Sequence, residues 1–295
     1  MSKEDIIDAL ATLGICNTIR NADTIKNNII GGTNMSKKYV LTDEVKWIGD
    51  HKLHRIKAIV SFGDVVCGEL GGYIEKEFNL SYADCAWVYD NANIYGNAKV
   101  YGNAKVYGDA TLCGNAEVYG NAKVYGDAIV YGNAEVYDFA RVYGRAEVGG
   151  DASVYNDAQV YGNARVGGAI VYGNAKVYDA AGGYGRTEIG GDAMVHGYAV
   201  VSGISRVYGN AELCENAIVL DNSDYVTVRG FGSHYRTTTF FRTKDGGIGV
   251  KCGCFYGSLD AFRRKCIETH GANKYSREYR CLATLIHLHF SAKEP

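Results

Sequence analysis

The sequence predicts an all-β solenoid flanked by a small β cap and an α+β tail, and three observations carry that prediction. Residues 88–219 repeat every six positions, as in Val100-Tyr-Gly-Asn-Ala-Lys105 followed by Val106-Tyr-Gly-Asp-Ala-Thr111. The turn chemistry repeats with the same period, because Gly-Asn or Gly-Asp separates each aliphatic residue from a small one four positions on. The chain also has a single proline, Pro295, so nothing in the repeat interrupts backbone pairing. A period of six fits neither a helix nor an ordinary amphipathic strand, but it fits a stack of short strands joined by sharp corners. Each aliphatic residue and each Ala then points inward, while Tyr and the last residue of the unit point outward.

The elements follow in order. Ile6, Ile7, Leu10 and Leu13 have helical spacing and predict a short amphipathic helix over 3–13, and the Asn-rich stretch 17–34 reads as a linker. Met35 precedes the cap, so residues 1–34 read either as an add-on or as the product of an upstream start. Residues 35–81 read as short strands that close one end of the solenoid, whose open backbone would otherwise be an exposed edge. The repeat occupies 82–224, about 24 hexapeptides or eight coils, roughly 38 Å long at the spacing of paired strands. From 225 to 295 the period is gone, and a small α+β domain is expected. Its strands fall at 225–229, 237–242 and 248–252, with a hairpin turn at Lys244-Asp-Gly-Gly. Ser258 caps one predicted helix running to Thr269, and Ser276 caps another to about His289.

The repeat resembles the hexapeptide-repeat family, whose pattern is aliphatic-x-Gly-Asn-small-x. The resemblance implies a left-handed parallel β-helix with three hexapeptides per triangular coil, usually in a homotrimer. The Tyr-Gly-Asn-Ala form is similar to a subgroup found in gut bacteria and phages. Residues 37–80 resemble that subgroup's amino-terminal cap through Lys38-Tyr-Val-Leu-Thr42, Phe62-Gly-Asp-Val65 and Leu70-Gly-Gly-Tyr-Ile-Glu75. The family includes acyltransferases, carbonic anhydrases and non-catalytic members, so the resemblance implies fold more sharply than function.

Three units per coil place outward residues 18 apart in ladders. A first face carries Tyr107, Tyr125 and Tyr143 beside Lys105, Lys123 and Arg141. A third face carries Glu117 and Glu135 beside another tyrosine ladder, and the second face is poor in tyrosine. Stacked like charges repel, so the basic ladder calls for an anionic partner. In a cyclic trimer the first face of one subunit would meet the third face of the next, and Glu117 and Glu135 would neutralise it. An anionic ligand is the alternative partner.

The repeat breaks between 166 and 206. One residue is lost after Val166, which a corner could absorb so that Lys176, Tyr178 and His196 continue the first face. Gly183 stands where an aliphatic belongs, Arg186 replaces a turn Asn, and Arg206 ends a degenerate unit. Such violations suggest a pocket of Tyr184, Arg186, His196 and Arg206. A second candidate is the polar strand region with His234, Tyr235, Arg236, Arg242 and Lys244. His196 is also the catalytic base if the chain is an acyltransferase acting with acyl-CoA. Cys252-x-Cys254 with Cys266, Cys281 or His270 lacks the spacing of paired CxxC knuckles, so no metal and no cofactor are expected.

A net charge of −2 offers no global basic field for long nucleic acid. No apolar run is long enough to span a membrane. The start Met1-Ser-Lys-Glu-Asp lacks the regions of a secretion signal, and the nine scattered cysteines read as reduced thiols, so a cytoplasmic protein is expected. Together these readings favour a non-catalytic homotrimer that sequesters a small anionic, nucleotide-like ligand. In a phage setting that ligand would be a host defence signal. The alternatives are an acyl-CoA-dependent acyltransferase and a purely structural or assembly module.

Overall fold

The computed structural model describes residues 37–291. The helix expected over 3–13 and the linker over 17–34 lie outside the described residues. The chain forms two compact units, Met1–Gly132 and Asn133–Pro295.

In the first unit, β1 (Tyr39–Ile48) and β2 (His51–Ala58) form an antiparallel hairpin around Gly49, and β3 (Leu70–Ile74) pairs antiparallel with β2. β3 then runs parallel to the two-residue strand Asn93–Ile94, so the cap continues one solenoid sheet. The expectation of short cap strands is thereby corrected. Alternation over 39–58 sustains strands of ten and eight residues, far longer than the solenoid's own. The Lys38 ammonium is buried and donates to the carbonyls of Ala83, Asp84 and Ala86 at 2.9–3.2 Å. Burial lowers its pKa to about 8.

The second unit contains three parallel sheets, each assembled from one strand per coil. One sheet stacks Glu147–Gly149, Arg165–Gly167, Gly182–Tyr184, Val200–Val201 and Ile218–Val219. Another stacks Arg141–Val142, Gln159–Val160, Lys176–Val177, Met194–Val195 and Glu212–Leu213. The third stacks Glu135–Val136, Ser153–Val154, Ile170–Val171, Glu188–Ile189 and Arg206–Val207. The inward Val, Ile and Ala side chains are fully buried, as the period requires. Removing each Val from water contributes roughly 1.5–3 kcal/mol. The lost residue after Val166 is absorbed at a corner: Gly168, at φ +78°, donates to the Gly149 carbonyl, and Ser153 pairs with Ile170 seventeen positions on.

The tail is a four-stranded antiparallel sheet, in the order Tyr225–Phe231, Arg236–Arg242, Ile248–Cys252, Phe255–Ser258, with two helices. Helix α1 (Leu259–His270) has Ser258 as its N-cap, accepting from the Ala261 amide at 3.2 Å, as expected. Helix α2 (Lys274–Ser291) starts earlier than predicted. Asn273, not Ser276, accepts the first-turn amide, and Ser276 is buried. The fourth strand, Phe255–Ser258, escaped the sequence reading because it has four residues and a glycine. Phe240, Val250, Phe262, Tyr279, Leu282 and Ile286 form the tail's core. The strand Arg236–Arg242 lies across the last coil: the Thr239 hydroxyl accepts from the Glu212 amide, and Ala217 bridges Thr243.

Candidate functional site

The first face of unit one already contains its anionic partner. Lys105 pairs with Asp64 of the cap, Lys123 is the parallel neighbour of Lys105, and the Lys105 hydrogen bond holds the Asp64 carboxyl below the usual carboxylate range. On the third face Lys99 sits 2.9 Å from Glu117, and the Tyr101 hydroxyl donates to Glu117 at 2.8 Å. Lys105 and Glu117, expected at a subunit interface, thus also have partners within the chain. Long side chains one or two rungs apart satisfy each other within the chain. Tyr107 and Tyr125 stack at 4.8 Å along the same face.

In the second unit the first face carries Arg141, with Tyr143, Tyr161, Tyr178 and His196 stacked at 4.8–4.9 Å, so the corner does continue this ladder. His196 is a rung of that stack. Its Nε2 lies 3.2 Å from Glu212 and its Nδ1 3.9 Å from Asp179, with the side chain 17% exposed. Burial acts to raise the Glu212 carboxyl, but hydrogen bonds from His196 and Lys251 outweigh it and the pKa falls.

The four residues expected to form one pocket do not converge. Tyr184 lies on the second face beside Gly167, and Arg186 is exposed at the following corner. His196 is on the first face, and Arg206 is on the third, 3.1 Å from Glu188. Neighbours along a β-solenoid are 18 apart, so breaks clustered in sequence are spread around the coil. Glu135 lies on the third face, opposite Ser153.

The tail candidates separate into two roles. The Arg242 guanidinium binds Asp224 at 2.9 Å and the Phe290 carbonyl at 3.0 Å, and Lys244 donates to the Tyr198 carbonyl at 2.8 Å. Both anchor the tail to the last coils. His234 and Arg236 instead line a cavity of about 260 Å³, together with Lys265, His270, Thr269 and Tyr279. Phe255 and Phe262 give it an apolar wall, and no carboxylate lines it. Among the described residues Arg236 makes no ion pair. Its guanidinium packs over Gly253. Burial pushes the Tyr279 hydroxyl and the Cys266 thiol up, the latter to about 11. Tyr235 is exposed at a positive-φ corner of the same hairpin. Lys265 and Thr269 were not among the expected site residues, and His270 was considered only beside the tail cysteines as a metal ligand. Their spacing on one helix, opposite His234-Tyr-Arg236, was the available signal.

A second, larger cavity of about 660 Å³ lies where the third face meets the tail. Tyr172, Arg206, Tyr208, Asn222, Tyr225 and His289 line it. Neither cavity is lined by His196. Among the described residues no group of three His, Cys, Asp or Glu side chains is arranged to hold a metal ion. No helix among them is long and apolar enough to cross a membrane.

Residues 158–171 match a family model described as the YdcK beta solenoid repeat. No curated protein matches the chain. Among solved structures, a Bacillus cereus protein provisionally described as an acetyltransferase is 13% identical, over 62% of this chain and 92% of its own, with a TM-score of 0.25. A likeness of that size carries no argument about activity. The matched stretch and the stacked parallel sheets agree on a parallel β-helix repeat.

Proposed function

We propose that the protein is a non-catalytic binding protein that holds a small anionic ligand in the tail cavity. The observation that carries this reading is the lining. Arg236, Lys265, His234 and His270 line about 260 Å³ with no carboxylate in the lining, although Lys265 also pairs with Glu268 at 3.4 Å. That volume is just below the roughly 300–1,000 Å³ of ordinary ligand pockets, which suits a compact ligand. Hydrogen bonds to a charged group are the strong ones, and a guanidinium fork matches phosphate or carboxylate oxygens. The aromatic wall of Phe255, Phe262 and Tyr279 supports a nucleotide-like ligand as the finer form of the reading. Sequestration of such a signal in a homotrimer, in the cytoplasm of a phage-infected cell, is its fullest form. Transfer chemistry at His196 has less support, because that ring is stacked into a ladder and lines neither cavity.

Calorimetric titration of the full chain with pyrophosphate, adenosine monophosphate, a cyclic nucleotide and acetyl-CoA tests the reading. Binding without turnover is expected. Arg236→Glu combined with Lys265→Glu should weaken it by about tenfold or more, roughly 1.4 kcal/mol. Unchanged affinity would remove the tail cavity from consideration, and no binding by any probe would favour the structural module.

A further inference from the structure

The tyrosine ladder of the third face lacks one side chain, at Gly190, and the tyrosines on either side of it both line the larger cavity. The pairing of Ile170 with Glu188, and of Glu188 with Arg206, sets Tyr172, Gly190 and Tyr208 above one another on successive coils. The backbone is intact at that point: the Tyr172 amide donates to the Ile189 carbonyl at 2.9 Å, and the Gly190 amide donates to the Val207 carbonyl at 2.8 Å. Only the side chain is absent. The stack responds. Tyr137 and Tyr155 sit 5.0 Å apart at 6°, whereas Tyr155 and Tyr172 open to 5.7 Å and 14°. Tyr172 leans over Gly190 so far that a Cβ there would lie 2.2 Å from its Cζ. Beyond the gap, Tyr208 is 62% exposed, and no ring of the described residues stacks on it.

We infer that this gap is a binding slot for a flat heteroaromatic ring, inserted between Tyr172 and Tyr208 as the missing rung. Two coil spacings, about 9.6 Å, separate the ladder positions of Tyr172 and Tyr208. A ring at the midpoint would lie about 4.8 Å from each tyrosine, inside the roughly 4.5–7 Å range of favourable ring pairs. Tyr172 needs only to return to its ladder position to admit the ring. The rim reads the ring's edge. The Arg206 guanidinium is a donor held 3.1 Å from the Glu188 carboxylate, an acceptor, and Asn222 stands beside them. Arg206 is itself braced, because Tyr225 donates to its carbonyl at 2.7 Å and Asn222 accepts from its amide at 2.7 Å. Adjacent donor and acceptor groups suit a ring that presents an acceptor next to a donor, as nucleobase-type heterocycles do. Arg206 is already neutralised by Glu188, so the slot takes uncharged rings. It is thus separate from the basic tail cavity.

The test titrates the full chain with uracil, cytosine and adenine, and with 5,6-dihydrouracil as a puckered control. Planar bases are expected to bind, and dihydrouracil to bind at least several-fold more weakly. Tyr208→Ala should cost about tenfold, the effect of removing one stacking platform, while Tyr208→Phe keeps the affinity. Gly190→Tyr should abolish binding by completing the ladder. Arg236→Glu should change nothing, which separates this slot from the tail cavity. Tyr208 is a surface side chain, so the Tyr208→Ala result stands even if Gly190→Tyr fails to fold. No binding of any planar base to the unmodified chain, or equal binding by Tyr208→Ala, would overturn the inference.

Discussion

At the scale of single residues, identical side chains take opposite roles according to what they touch. Arg242 and Arg236 flank the same strand. Arg242 neutralises Asp224, which is only 8% exposed, whereas Arg236 faces a cavity. Arg242→Ala leaves a buried carboxylate without its cation and should cost about 2–4 kcal/mol in denaturant unfolding. Arg236→Ala should stay within about 0.5 kcal/mol of the unmodified chain. Lys38 sets a pH dependence. Its folded pKa of about 8 lies below the ordinary 10.5. Between those values the unfolded chain keeps a proton that the folded chain has released. Stability should therefore rise with pH through that window, by up to about 1.4 kcal/mol per unit, and the penalty is fully present below pH 8. Denaturant midpoints compared at pH 8 and pH 9.5 check this, and Lys38→Met should remove the increment.

At the scale of elements, the corner is the unit that tolerates least. Gly162 has φ +72°, and a Cβ there would sit 2.9 Å from the Asp179 amide nitrogen of the next coil. Gly209 has nearly the same φ, +70°, but faces open space. Alanine at either pays the left-handed penalty of roughly 1–2 kcal/mol. Gly162→Ala should lose at least about 1 kcal/mol more than Gly209→Ala by thermal or denaturant melts, because only there must a backbone neighbour move. The two helices show a different sensitivity. A serine before an apolar run announced the start of α1 correctly, while α2 begins at an asparagine cap three residues earlier than its serine. Both residue types cap well, so spacing alone could not choose between them.

At the scale of the whole molecule, the open matter is assembly. Two of the charges that would have demanded a partner have one within unit one, Asp64 for Lys105 and Lys99 for Glu117. A homotrimer would then rest on tyrosine faces and on Lys123, Arg141 and Glu135, and its stability should vary little with salt. Native mass spectrometry at low and high ionic strength checks this. A three-chain mass that persists in high salt is expected, and a single-chain mass at micromolar concentration would remove the trimer.

Much of the fold was legible from residue order, because a six-residue period has few physical solutions. The inward Val and Ala, the turn glycines, the absorbed deletion and the sheet-and-helix tail follow from it and from local capping chemistry. Binding geometry was far less legible. A site is made by residues 17 or 18 positions apart, or by a hairpin facing a helix, and no local pattern reports those meetings. Arg186, His196 and Arg206 looked like neighbours in sequence, but the coil sends them to different sides. Lys265 looked like ordinary helix surface and His270 like a partner of the tail cysteines, and the tail's folding places both on the cavity that Arg236 lines. Period and turn chemistry act over a few residues, so residue order alone was enough to set the coil. Which side chains meet depends on how far each rung advances around that coil, and that emerges only once the coils are stacked.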